Sequence, residues 1–453
     1  MSKMKVMTHK KGFRVFYKRM KVNKAVLVNF CFNAGFYNDI KLGLAHFAEH
    51  AVAFGSEEYP GKKFRDFVDK FPSENFVTNP EHVFFWVYSS VKDLEEIFKV
   101  YSNVIFNVQL KEEDFENERK VIIQEITHTK ADIYKDSFVH MARELICDER
   151  VKFIARGLGT EESVRQITIA DVQNFYDTYF KAENLNVVVV GNVSKRKLNK
   201  YIETYLVPNA KTGFEKTPVK FPNLHWTKPN ISIAPSSENE KSRITIMFKV
   251  DDFDVQNFYN LRFQNVLNEC VDLFARDFFR IKNGLTYHAS CYLSYFSKQP
   301  YFFINVFCNK SKVNDVLNVM PEFIKFLKNS PISQEKKDDV FECVEKREDI
   351  AMPHPRNYER TYNVYDMYGR YMKKSESNKI MKKLKKLPVE EFNQFLAKVV
   401  STKPKILIEG NLKPEEVQTY SEFQRKLSKA LKKTDKKLDA SANKKGSVKN
   451  KKV

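Results

Sequence analysis

Cysteine is scarce in this chain of 453 residues, and the six present have no C-x-x-C spacing. Cys31, Cys147, Cys270, Cys291, Cys308 and Cys343 are scattered, which excludes a cysteine zinc framework and a dense disulfide scaffold. They read as free thiols of a reducing compartment, so a cytoplasmic location is expected. Long apolar runs are missing too. The longest are of strand length, which excludes a membrane-spanning helix. The first twenty residues are basic, but no apolar stretch follows them, so no signal peptide is expected. Gly157 and Gly159 have no Gly-Lys-Ser/Thr after them, which excludes a phosphate loop. Histidine is also rare, with nine in the chain.

Two of the nine fall in His46-Phe47-Ala48-Glu49-His50. Asn38 and Asp39 can cap the start of a helix over this segment, and Gly55 can end it. Positions four apart share a helix face, so both imidazoles can reach one ion. Glu49 projects beside that face, where it can polarise a water that the ion holds. Zinc accepts neutral imidazole nitrogen and carboxylate oxygen, and a catalytic zinc keeps one position open. H-x-x-E-H is the inverted form of the zinc-peptidase helix motif. With so few histidines, its chance occurrence is on the order of one per hundred such sequences.

A catalytic zinc needs a third protein ligand. Glu118-Arg119-Lys120-Val121-Ile122-Ile123-Gln124-Glu125 sets two carboxylates two helical turns apart on one face. Glu125 follows His50 after seventy-four intervening residues. Motif and spacing together resemble the pitrilysin/insulinase family of zinc metallopeptidases, in particular its two-domain members of the mitochondrial-processing-peptidase type. The resemblance implies that His46, His50 and Glu125 bind one Zn2+ per chain. It makes Glu49 the general base and places Glu118 behind the ligands. His128, three residues beyond Glu125, reads as a structural or surface histidine.

Further stretches match the family. Gly43-Leu44-Ala45 and Phe54-Gly55-Ser56 resemble its flanks of the motif. Asn75 to Thr78 resembles its Asn-x-x-Thr segment, a strand edge that holds the substrate backbone. That implies substrate-binding roles for Asn75 and Thr78. Phe76 departs from the small residue usual there, which bears on the pocket's shape. Gly159-Thr160-Glu161, with Ile167-Thr168 through Tyr179, looks like the entry to the helix before the first domain's last strand. Arg280 and Tyr287 resemble the family's arginine/tyrosine pair. The tyrosine would donate to the oxyanion and the arginine would hold a peptide carbonyl.

The chain also repeats itself. Ala25 to Phe30 reappears as Arg243 to Phe248, Phe84 to Val87 as Phe302 to Asn305, and Val189 to Asn192 as Ile408 to Asn411. Three β-rich matches nearly in register argue for a duplicated unit. Helical stretches lie between them, such as Leu94 to Phe106 and Val313 to Leu327. Phe13 to Tyr17 and Lys24 to Phe36 read as the first two strands. The expected fold is α+β: two homologous α/β-layered domains, each a mostly antiparallel sheet packed with helices. The family resemblance adds that the pair forms half of a clamshell chamber. Expected boundaries are a catalytic zinc-binding domain over 1–206, a Pro-containing linker over 207–230 and a homologous non-metal domain over 231–424. His46 and His50 project onto Gln264 and Asn268 in the second copy, so that copy lacks the metal set.

Residues 425–453 are a different material, with twelve basic residues and two acids. Their net charge of +10 is half of the chain's +20. The late part should be disordered. It reads either as an anchor for nucleic acid, ribosome or anionic membrane, or as a solvated tail. The expected activity is zinc-dependent endopeptidase hydrolysis of unfolded peptides, in a homodimer with composite active sites. The alternatives are a narrow processing peptidase that trims leader peptides, and a non-enzymatic scaffold subunit.

Overall fold

Period-two apolar strands interleaved with amphipathic helices build two sheets, one in each of two compact units. The computed structural model describes residues 4–21, 24–130, 145, 157–215, 230–234, 240–296, 298–351 and 372–431. Among these, the first unit holds 4–129, 157–215 and 347–351, and the second holds 130, 145, 230–346 and 372–431. The expected tail is described only as far as residue 431, and residues 420–431 are helical.

The first sheet contains β1 (Lys5–Thr8), β2 (Arg14–Arg19), β3 (Ala25–Phe32), β4 (Ser73–Thr78), β5 (Val83–Ser90) and β6 (Leu185–Gly191). Their order is β1-β2-β6-β3-β5-β4. Only the β2–β6 pairing is parallel. Helices α1 (Leu44–Ala51), α2 (Gly61–Val68), α3 (Leu94–Phe106), α4 (Glu112–Lys130) and α5 (Ile169–Tyr179) belong to this unit. Val26, Val28 and Phe30 face the core that these helices complete, while Leu27 and Cys31 face a second apolar cluster. Both faces are therefore buried, and β3 reads as a nearly continuous apolar run. Tyr101 of α3 lies among Phe30, Phe64, Phe67 and Phe76, which clamps α2, α3 and the sheet together.

The second sheet contains β7 (Ile231–Ala234), β8 (Lys241–Lys249), β9 (His288–Phe296), β10 (Gln299–Asn309) and β11 (Lys405–Glu409), in the order β7-β11-β8-β10-β9. Again one pairing is parallel, β7–β11. Around it stand α6 (Phe258–Val271), α7 (Val313–Lys328), α8 (Gln334–Ala351), α9 (Lys374–Lys386) and α10 (Val389–Val400). Strand for strand this repeats β2-β6-β3-β5-β4, so the duplication is present in the topology. Among the described residues no helix is long and apolar enough to cross a membrane.

Three details differ from the sequence reading. The strand expected at 13–17 runs over Arg14–Arg19, and the one expected at 24–36 stops at Phe32, before a turn at Phe36–Asn38. β1 has no sequence counterpart, because a four-residue, half-exposed edge strand shows no alternation. The match of Phe84–Val87 to Phe302–Asn305 slips by one residue. Phe30 pairs with Phe85, and Phe248, its counterpart, pairs with Phe302. Anchored there, Phe85 corresponds to Phe302; anchored on Val189 and Ile408, which pair with Val28 and Ile244, it corresponds to Ile304. The first and third matches thus differ by two residues, and Phe85, Phe302 and Ile304 all face their cores. Side chains alternate faces along a strand, so the slipped match would turn Phe85 out of the core.

The second sheet encloses an ion pair between adjacent strands. Arg243 of β8 and Glu409 of β11 are cross-strand partners with side chains 1% and 3% exposed, and Arg243 Nη2 lies 2.5 Å from Glu409 Oε2. Removing one partner strands a buried charge, whereas an apolar pair of similar volume replaces both at little cost. Glu409→Leu should lower unfolding stability by roughly 3–5 kcal/mol. Adding Arg243→Met should recover most of that loss, as read from urea unfolding of the three proteins.

Candidate metal and catalytic site

Helix α1 is set by a cap five residues before its first turn. Asp39 Oδ2 accepts from the Gly43 amide (3.0 Å) and Oδ1 accepts from the Ala45 amide (2.7 Å). Gly43 holds φ at 89°, and a Cβ there would meet the Leu158 carbonyl. Asn38 does not share the capping role expected of it: its side chain accepts from the Gly35 amide. The chain leaves α1 through a tightened turn at Val52–Phe54 and reverses at Gly55, where φ is 78°. Only glycine takes both that angle and the close approach of the Tyr59 carbonyl.

Helix α4 is seated against α1 by an aromatic stack. The rings of Phe47 and Phe115 lie 4.4 Å apart, and the Arg119 guanidinium sits over Phe115 at 4.8 Å. Arg119 also donates to the Ile167 carbonyl (2.9 Å) and pairs with Glu116 (2.9 Å). This seating brings both acids of α4 to His50. Glu118 Oε1 lies 2.8 Å from His50 Nδ1, and Glu125 Oε2 lies 3.4 Å from His50 Nε2.

His46 Nε2 stands 3.2 Å from His50 Nε2 and 3.6 Å from Glu125 Oε2. The three atoms form a triangle with edges of 3.2, 3.4 and 3.6 Å. A tetrahedral ion with bonds of about 2.0–2.1 Å needs ligand atoms about 3.3 Å apart. The triangle is therefore one face of a zinc-sized tetrahedron, with its fourth corner left for water or substrate. The donor chemistry agrees. When His50 Nδ1 donates to Glu118, its Nε2 lone pair points at the site, the arrangement common behind metal-bound histidines.

The protonation states reflect the same crowding. Burial pushes His46 down to about 3, assisted by the neighbouring His50 charge. Burial also opposes the His50 imidazolium, but Glu118 and Glu125 outweigh it and lift His50 to about 10. Glu49 is 6% exposed, and burial raises it to about 7 against the opposing effects of His50 and Thr78. A divalent ion must displace the proton on His50, so binding and proton release are coupled.

Thr78 lies on the edge strand β4, as the family resemblance implies. Its hydroxyl donates to Glu49 Oε2 at 3.1 Å, which links strand β4 to the carboxylate of α1. Asn75 is exposed on the same strand, opposite Trp86. Phe76 packs against Phe64 and Phe85 of the first unit's core. In the second unit Arg280 Nη1 donates to the Tyr287 carbonyl at 3.3 Å, and both residues are exposed. They lie where a helical turn over Asp277–Lys282 leads into β9. The His128 side chain lies outside the described residues.

The positions projected from His46 and His50 have another role in the second unit. Gln264 and Asn268 of α6 both donate to the Leu293 carbonyl, at 3.0 and 2.9 Å. Asn268 Oδ1 accepts from the Leu293 amide at 2.7 Å. Leu293 pairs with Phe302 on β10, as Phe76 pairs with Phe85 on β5. One copy thus aims two imidazoles at a metal-sized gap, and the other uses two amides to close the edge of its sheet.

Two family models match the chain. Residues 14–146 match the Insulinase (Peptidase family M16) model, and residues 166–340 match the Peptidase M16 inactive domain. A probable zinc protease PqqL of Haemophilus influenzae is 23% identical over 48% of this chain. The human cytochrome b-c1 complex subunit 1 is 23% identical over 34% of it. These matches span only 24% and 32% of those relatives. An uncharacterized zinc protease of Rickettsia bellii is 20% identical, covering 83% of this chain and 90% of its own length. Among solved structures, the M16 inactive domain from Pseudomonas fluorescens matches with a TM-score of 0.75 and 15% identity, covering 92% of this chain and 99% of that one. The periplasmic protease PqqL from Escherichia coli matches with a TM-score of 0.76 and 16% identity, covering 94% of this chain and 50% of that one. By its two matched models and the two-unit fold it shares with these structures, the chain belongs to the insulinase family of peptidases, family M16.

Proposed function

We propose that the chain is a zinc metalloendopeptidase acting on unfolded peptides or short polypeptides. The observation that carries this reading is the convergence of His46, His50 and Glu125 within reach of one ion, beside the buried carboxylate of Glu49. Zinc held there supplies the Lewis acidity that activates the attacking water and polarises the scissile carbonyl. Glu49 takes the water's proton and returns it to the leaving amine. Thr78 fixes Oε2 of that carboxylate, which leaves Oε1 for the proton. Glu118 orients His50.

The peptide adds as a strand along the outer edge of β4, where main-chain bonds give affinity with loose sequence demand. The amides of Gln264 and Asn268 on Leu293 support this reading. They already make, on the equivalent strand, the backbone bonds that a peptide would make at Phe76. Tyr287 and Arg280 receive the oxyanion and a peptide carbonyl. In our reading they come from the partner in a homodimer with two composite sites. This chain covers half of Escherichia coli PqqL, so a second copy would stand where that protein has further chain. The free thiols favour a cytoplasmic location, although that relative is named periplasmic.

The similarity to a cytochrome b-c1 subunit favours one rival, a scaffold without turnover. Glu49→Gln separates the two. It should keep one zinc per chain while lowering kcat on quenched peptides by about 10²–10⁴-fold. Wild-type protein with neither zinc nor turnover would leave the scaffold. A cleavage-site profile over a peptide mixture distinguishes general peptide disposal from leader trimming. Glu118→Ala should weaken zinc binding by about 10–100-fold, read by competition with a chelator. Light scattering of the active enzyme should give the mass of a dimer. A strictly monomeric active enzyme would refute the composite site.

A further inference from the structure

Helix α9 carries its charge on one side. Its sequence KSESNKIMKKLKK contains a single acid, Glu376, in the first turn. Leu384 is buried, and Ile380 and Met381 pack against the second unit's core. Lys379, Lys382, Lys383 and Lys386 are exposed, and their i, i+3, i+4, i+7 spacing puts them on the face away from that core. Among the described residues none of these four makes an ion pair. Like charges at three- and four-residue spacing oppose helix formation, so the stripe carries a cost in helix stability beyond what a solvent-facing side requires.

The surroundings add to the positive field. The ammonium of the buried Lys337 donates to the carbonyls of Lys385 (2.9 Å) and Leu387 (2.7 Å), occupying the helix's C-terminal acceptors with a further cation. The nearby acid Glu342 of α8 interacts with Lys385, which lies off the stripe. Lys383 sits 5.0 Å over the half-buried ring of Tyr259, which also feels Glu391. The four ammonium groups lie along roughly 10 Å of helix axis, each free to meet one phosphate.

We propose that this lysine face of α9 binds the phosphate backbone of a single-stranded nucleic acid, without reading its sequence. Charge complementarity selects a polyanion, and a chain charge of +20 steers it from a distance. The stripe has no exposed apolar side chain to enter a lipid boundary, which disfavours a membrane. A nucleic acid carries a charge at every unit of its backbone, which favours it over an acidic polypeptide. Lysines without arginine act as point charges, which suit backbone contacts more than base recognition.

The test is the salt dependence of binding of the full chain to a labelled oligo(dT) of about 20 nucleotides. Replacing all four residues (K379Q, K382Q, K383Q and K386Q) should reduce the slope of log K against log salt by about 3, at about 0.7 per phosphate released. The melting temperature should hold or rise, since repulsion is relieved. A four-arginine variant should keep the wild-type slope, which guards against a misfolded glutamine variant. A tail variant (K444Q, K445Q, K449Q and K452Q) should leave the α9 decrement intact. The proposal is overturned by absence of binding at low salt, by an unchanged slope in the α9 variant, or by loss confined to the tail variant. Tighter binding to phosphatidylserine vesicles through the same four lysines, or to a polyglutamate competitor, would overturn it in favour of that partner class.

Discussion

The site depends on the seating of α4 on α1. Neither helix alone holds the cluster: α1 supplies two imidazoles and a carboxylate, and α4 supplies two further carboxylates. The Phe47–Phe115 stack fixes their separation, and Arg119 ties α4 to the 164–167 turn that leads into α5. With that distance set, Glu118 and Glu125 address opposite nitrogens of one ring. An apolar contact of a few ångströms therefore decides an electrostatic arrangement. Burial alone would keep His50 neutral, and the two acids reverse that outcome.

Much of this was legible in the sequence, for a reason of distance. His46, Glu49 and His50 lie within one helical turn, so their geometry follows from helix periodicity. Glu125 is far along the chain, and only a family's spacing pointed to it. The contact of Thr78 with Glu49 joins a strand edge to a helix and leaves no periodic trace. Arg243 and Glu409 are just as silent, since a charged residue within an apolar strand gives no sign of its partner. The slipped match at Phe84–Val87 has a related cause. Both faces of β5 are apolar, so Phe84 and Phe85 are interchangeable to a reader of patterns, although only Phe85 faces the main core.

The duplicated units show how one scaffold comes to carry two roles. Strand order, the single parallel pairing and the helix over the sheet edge are common to both. One difference lies at two positions one helical turn apart, His46 and His50 against Gln264 and Asn268. Imidazole leaves a lone pair for an ion. Carboxamide offers both a donor and an acceptor, which match a peptide backbone. Residues of similar size at the same place thus present imidazole nitrogens in one unit and close a sheet edge in the other.

That exchange also bears on how the second unit could change over evolutionary time. The outer edge of β9 is a row of backbone groups that would otherwise template pairing with other chains. Gln264 and Asn268 occupy it at Leu293. Asn268 supplies both a donor and an acceptor there, whereas Gln264 supplies a donor alone. A substitution at Asn268 would therefore open that backbone position to other chains, and one at Gln264 would leave it covered. Position 268 is thus constrained by the need to keep a sheet edge closed, a constraint that its counterpart His50 does not share.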